Sequence, residues 1–302
     1  MKMDTIREKW LKKLGRPQEY NFDRTLKLLK TYDFDSYYAE LYEQANGPGT
    51  AQRLMMAFPK NASRALPCVA IPFYFPEAML GFEPETGEAL ERYVGVEMMR
   101  HLVERGYAVA SADSYHLTYI DSDKPRDAFS RWRDAGTALS KDHPGWSGIG
   151  KLVFDTQLMI DALAADARVD SSRIAIAGHS LGGKMAFYTG CLDERVKVIL
   201  ASDFGFGWEQ SNWHEVWYWG SKLEDLKSDG MDHTSLLGIF APKPMLLIAG
   251  QYDNADSFEM MKKAPGYEGN EDKLRIINHA TGHRPPNDAL DAGYDFIDSF
   301  LK

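Results

Sequence analysis

The feature that most constrains this chain is the run Arg173-Ile174-Ala175-Ile176-Ala177-Gly178-His179-Ser180-Leu181-Gly182-Gly183-Lys184. Residues of strand type enter a glycine-flanked serine, and residues of helix type leave it. The pentapeptide Gly178 to Gly182 has the form G-x-S-x-G. At this chain's Gly and Ser frequencies, chance supplies such a pentapeptide roughly 0.1 times, so its flanks carry the specificity. A strand–turn–helix setting lifts a serine hydroxyl above the end of a sheet. It requires small residues two positions either side, because strand and helix nearly touch there. Gly178 and Gly182 meet that requirement. The plainer alternative is a glycine-rich turn with a capping serine.

The rest of the chain supports a sheet of the right kind. Strands are expected at Arg53–Phe58, Cys68–Phe75, Tyr107–Ser111, Arg173–Ala177, Val196–Ala201, Pro244–Ala249 and Leu274–Ile277. Several are continuous apolar runs, as in strands covered on both faces. Helical patterns fall between them, at Val94–Arg105, Lys151–Ala167, Ser180–Gly190, Ala255–Lys263 and Asn287–Leu301. This alternation predicts an α/β fold with a mostly parallel sheet and helices on both faces. One domain over 1–302 is the simplest reading. Residues 1–45 form an N-terminal helical extension in that reading, with Ile6, Trp10 and Leu14 at helical spacing and Leu26, Leu28 and Leu29 less regular. Residues 203–232 interrupt the alternation as a cap-like insert rich in Trp, Tyr and Phe.

Composition narrows the partners. The chain has 35 basic and 44 acidic residues, a formal net charge of −9. That balance speaks against nucleic acid and against anionic membranes. No apolar run reaches spanning length and no signal-type run opens the sequence, so a cytoplasmic protein is expected. The two cysteines, Cys68 and Cys191, make no disulfide framework and are expected to be buried. The histidines His101, His116, His143, His179, His214 and His233 form no H-x-x-x-H pair, so no metal and no cofactor are expected. Composition leaves the oligomeric state open.

The elbow Gly178-His179-Ser180-Leu181-Gly182-Gly183-Lys184, followed by Asp193-Glu194-Arg195, resembles the α/β-hydrolase superfamily. Within it, the motif is similar to acetyl xylan esterase-like, glucuronoyl esterase-like and dienelactone hydrolase-like proteins. The resemblance covers about residues 50–302. It implies Ser180 as nucleophile and partners in the order Ser, acid, His. It maps the acid onto Asp253, after the strand Pro244–Ala249, with Asp256 as the alternative. It maps the base onto His283, in Thr281-Gly282-His283, ahead of His279.

The same resemblance places one oxyanion donor at the backbone N–H of Leu181. The second falls at Tyr74 or Phe75, where relatives carry His-Gly; Pro76 has no N–H, and Tyr74 could also donate through its hydroxyl. Glucuronoyl esterases carry S-R-x-G-K at the elbow. Here Leu181 replaces the arginine and Lys184 remains, as either a sugar contact or a helix-surface residue. Trp213 and Trp217 are the candidate substrate-facing aromatics of the insert, the alternative being that they only bury it against the sheet. Asp113, Tyr115 and His116 follow a strand and could line the same edge. The implied activity is hydrolysis of a small or moderate carboxylic ester, an esterified sugar among the candidates. A prolyl oligopeptidase-like peptidase and a non-catalytic binding protein on the same fold are the competing readings.

Overall fold

A computed structural model describes residues 3–15, 23–47 and 49–302. Its strands are β1 (Lys27–Asp33), β2 (Tyr37–Ala45), β3 (Ala51–Pro59), β4 (Leu66–Ala70), β5 (Ala108–Ala112), β6 (Val169–His179), β7 (Val196–Ser202), β8 (Met245–Ala249) and β9 (Leu274–Asn278). Among the described residues they form one sheet in the order β1-β2-β3-β5-β4-β6-β7-β8-β9. The pairs from β5 through β4, β6, β7 and β8 to β9 are parallel. β1, β2 and β3 are antiparallel to one another, and β3 is antiparallel to β5.

The parallel strands explain their own sequences. β4, β5 and β8 are buried along their whole length. Helices on both faces remove them from water, so neither face can be polar. One face packs against a layer containing Gly148–Ala165 and Leu181–Leu192, the other against Met98–Glu104 and Asn287–Leu301. The crossovers place the C-terminal ends of β4, β5, β6, β7 and β8 along one edge, where side chains from distant segments converge.

The N-terminal extension differs from the expectation. Met3–Leu14 is a helix, and Ile6, Trp10 and Leu14 are its buried residues. Trp10 packs against Tyr188, Trp208 and Trp219. The Leu26–Leu29 region is not a second helix but the start of β1. Leu28 and Leu29 are 53% and 43% exposed there, because β1 is the outer strand and has little beyond it to cover its faces. β2 was also unforeseen; its alternation of buried and half-buried residues is partly masked by tyrosines. The helix expected from Val94 begins only at Met98, since Gly95 takes φ +90° and breaks the approach.

Candidate active site

β6 delivers Ser180 to this edge. The backbone of Ser180 lies at φ 57°, ψ −115°, a strained conformation for a residue with a Cβ. The turn explains both glycines. A Cβ on Gly178 would lie 2.2 Å from the carbonyl oxygen of Gly182, and a Cβ on Gly182 would lie 2.2 Å from that of Pro72. The helix Leu181–Leu192 starts at once, so the N–H of Leu181 belongs to the first turn and lacks an intrahelical acceptor.

His283 sits in the loop between β9 and the last helix. Its Nε2 lies 2.9 Å from Ser180 Oγ, and its Nδ1 lies 2.6 Å from Asp203 Oδ2. His279 faces elsewhere: its Nδ1 accepts from the N–H of Thr281 and contacts that residue's hydroxyl.

The carboxylate at His283 therefore belongs to Asp203, not Asp253. Asp203 directly follows β7 and holds φ +43°. It accepts N–H bonds from Gly250, Gln251, Tyr252 and Asp253, at 2.8 to 3.1 Å. Burial alone would raise its pKa, but the His283 bond and these amides outweigh burial and hold it below the ordinary carboxylate range. Asp253, after β8, points the other way. It accepts N–H bonds from Phe204, Gly205 and Phe206 and the hydroxyl proton of Ser257. Burial dominates there, and its pKa is raised despite the amides. Each loop thus captures the carboxylate of the other. Asp256, the alternative, is exposed in the first turn of Ala255–Met261.

A cavity of about 540 Å³ opens at Ser180, with Tyr74, Lys184, Asp203, Tyr252 and His283 in its wall. Tyr74 comes from the loop after β4, and its hydroxyl is in hydrogen-bonding reach of Ser180; burial pushes its pKa up to about 12, so it remains a proton donor at neutral pH. Lys184 is buried rather than on the helix surface. Its Nζ donates to the carbonyl of Phe204 at 2.5 Å and to Ser211 Oγ at 2.8 Å, over the ring of Trp213. Desolvation lowers its pKa to about 7.

The two tryptophans do not face this cavity. Trp213 and Trp217 are fully buried. Trp213 donates its indole N–H to the carbonyl of Gly205, and its ring lies against Tyr188 and His233. The insert lines the cavity instead through the polar residues of 209–212, His214 and Glu215, together with Tyr218 and Phe204. Trp217 stands behind Phe129 and Trp132, which do line it.

Asp113, Tyr115 and His116 are not in the lining either. Asp113 is buried in an ion-pair cluster: Arg53 bridges it and Glu77. Tyr115 donates to the carbonyl of Trp217, and His116 stacks on Trp132. They support the edge from below. No signal in the sequence distinguished Asp203 from Asp253, since both are the first acids after a buried parallel strand.

Residues 91–206 match the dienelactone hydrolase family, a span that holds Ser180 and Asp203 but stops before His283. The chain is 25% identical over 147 residues to YtaP of Bacillus subtilis (strain 168), a provisionally named hydrolase, covering 44% of this chain and 48% of that one. It is 26% identical over 146 residues to the 4-O-methyl-glucuronoyl methylesterase of Phanerochaete carnosa (strain HHB-10118-sp), covering 40% and 35%. The chain thus spans less than half the length of these curated relatives. A glucuronoyl esterase from Solibacter usitatus superposes with TM-score 0.73 at 12% identity, covering 98% of this chain and 91% of that one. The fold is that of the α/β hydrolases.

Proposed function

We propose that this α/β-hydrolase-fold chain is a serine ester hydrolase that acts on esters of carbohydrates, with Ser180 as nucleophile, His283 as general base and Asp203 as its acid. The observation that carries this reading is the continuous line from Ser180 Oγ through His283 to Asp203, at 2.9 and 2.6 Å. In that line the imidazole takes the serine proton as Oγ attacks the ester carbonyl. Asp203 fixes the ring with Nδ1 protonated and stabilises the imidazolium. The carbonyl oxygen becomes an oxyanion, and the Leu181 N–H and the Tyr74 hydroxyl are its donors. Collapse expels the alcohol, which takes the proton from His283 Nε2. Water then attacks the acyl carbon as it gives a proton to His283, and the second intermediate collapses to the free acid as His283 returns that proton to Ser180 Oγ.

Two further observations support the carbohydrate part. The glucuronoyl methylesterase relative is a carbohydrate esterase by name. The cavity wall is rich in hydrogen-bonding groups, as a polyhydroxylated substrate needs. The cytoplasm is the proposed compartment: Cys68 and Cys191 are both buried and unbridged, which suits a reducing interior. No described helix is long and apolar enough to cross a membrane.

The test is hydrolysis of p-nitrophenyl esters and acetylated xylo-oligosaccharides by the wild type and by Ser180→Ala. Loss of about 10³-fold or more in kcat supports the serine mechanism. Equal rates in both proteins overturn it.

A further inference from the structure

We infer that Phe129 is a stacking platform for a pyranose ring of the substrate, beside the ester that Ser180 attacks; this deepens the ester-hydrolase reading and rests on it. Phe129 is the first residue of the helix Phe129–Asp142 and is 54% exposed. It belongs to the wall of the cavity that holds Ser180 and His283. A phenyl ring left half in water beside a reactive serine costs burial that a substrate can restore.

The ring is held from behind. Its centroid lies 5.1 Å from Trp132 and 5.8 Å from Trp217. Trp132 is nearly buried, and its indole N–H donates to the carbonyl of Arg126 at 2.9 Å. Trp217 carries the Arg133 guanidinium at 5.5 Å from its ring, and Arg133 in turn pairs with Glu215. Trp132 also meets Tyr74 at 4.6 Å, so the aromatic support runs continuously to the residue in reach of Ser180. A platform fixed in this way loses little freedom when a ligand settles on it.

Beside the aromatic part of the wall lies a part of the opposite character. Gln210, Asn212, His214 and Glu215 come from one short segment and present amide, imidazole and carboxylate groups to the same cavity. One aromatic surface together with a set of hydrogen-bonding side chains matches a pyranose, which has an apolar C–H face and a hydroxyl rim. A purely alkyl or aryl ester would make no use of those polar groups. The sequence offers Trp213 and Trp217 as candidates for such a surface; the structure buries both and puts Trp217 one layer behind Phe129, as its support.

The experiment compares wild type, Phe129→Ala and Phe129→Trp in two assays. The first is turnover of p-nitrophenyl acetate and of a panel of acetylated pyranosides that includes xylo-oligosaccharides. The expected result for Phe129→Ala is a rise of about tenfold in KM on the pyranosides with kcat little changed. On p-nitrophenyl acetate the fall in kcat/KM is several-fold smaller than on the pyranosides, and Phe129→Trp restores the pyranoside KM. The second assay is binding of the same pyranosides to Ser180→Ala with and without Phe129→Ala, read by tryptophan fluorescence, because Trp132 and Trp217 adjoin the platform. Loss of binding on removing Phe129 supports the platform without relying on catalysis. Serine-dependent cleavage of p-nitrophenyl acetate with no Phe129-dependent pyranoside binding overturns the platform and leaves the hydrolase reading standing. Phe129-dependent binding with no serine-dependent turnover overturns the hydrolase reading and leaves the platform. A fall of the same size on both substrate types in Phe129→Ala marks a merely structural residue and overturns the platform.

Discussion

The loops after β7 and β8 carry the same residue at matching places and use it for opposite purposes. Asp203 directly follows the buried parallel strand β7, and Asp253 is the first acid after β8, four residues past its end. Each accepts several backbone N–H bonds from the other's loop. Yet Asp203 spends its remaining lone pair on His283, while Asp253 spends its own on Ser257. Both the distance from the strand end and the backbone conformation differ. Asp203 takes φ +43°, which turns its carboxylate across the strand ends toward the histidine loop, whereas Asp253 has no positive φ and turns back toward the insert. A strand's end selects where an acid can be; the local dihedral decides what it meets.

The largest effect expected from this contrast is kinetic. Asp203→Asn keeps the shape but removes the charge that stabilises the imidazolium, and it favours the wrong tautomer of His283. Its kcat should fall by about 10³-fold or more, approaching Ser180→Ala, with KM less affected. Asp253→Asn should keep kcat within about tenfold of wild type. A steady-state comparison of the two variants decides it: if Asp253→Asn is the more damaged enzyme per folded molecule, the assignment of the acid is reversed.

Asp253→Asn should cost stability rather than rate. An asparagine at 253 has one acceptor oxygen and must place its NH2 against at least one of the N–H groups of Phe204, Gly205 and Phe206, which are shared between the two carboxylate oxygens. Leaving buried donors unpaired costs about 1–3 kcal/mol. Chemical denaturation should show that loss in Asp253→Asn. The same loops also depend on Lys184, whose ammonium joins the elbow helix to Phe204 and Ser211. Lys184→Met should cost about 2 kcal/mol for the same reason, seen as a lower denaturation midpoint.

This contrast also marks where the sequence stops being legible. The parallel strands and the elbow were readable because a buried strand must be apolar throughout and a tight turn must be glycine on both sides. His283 was readable from its loop after the last strand. The carboxylate facing it was not, because 203 and 253 are each the first acid after a buried parallel strand, and which of the two turns toward the histidine loop depends on loop conformation that residue type does not reveal. The outer strands failed for another reason. β1 buries little beyond Tyr32, so its leucines carry no period. Trp213 and Trp217 misled because a large aromatic serves equally well as cavity wall and as filling; the insert folds around them, and the wall falls to Phe129, which nothing in the local pattern marked.

The smallest effect is also the one that separates the two carboxylates without any substrate. The pKa of Asp203 is lowered in the folded protein, chiefly through His283 and the amides of residues 251–253 once burial is overcome. A lowered group contributes stability that is present above its unfolded pKa of about 3.9 and is lost as pH falls through the lower folded value. Asp253 is raised, chiefly by burial. The folded state then binds its proton more tightly than the unfolded one, so stability declines as pH climbs from about 3.9 to the folded value. The two slopes have opposite signs and adjoining windows. Denaturation midpoints measured from pH 3 to 6 should therefore change in opposite senses. Relative to wild type, Asp203→Asn should lose less stability on acidification below about pH 4, and Asp253→Asn should lose less on moving upward from there. Parallel curves for the two variants would mean that the carboxylates share one environment, and the division of labour between the loops would have no electrostatic basis.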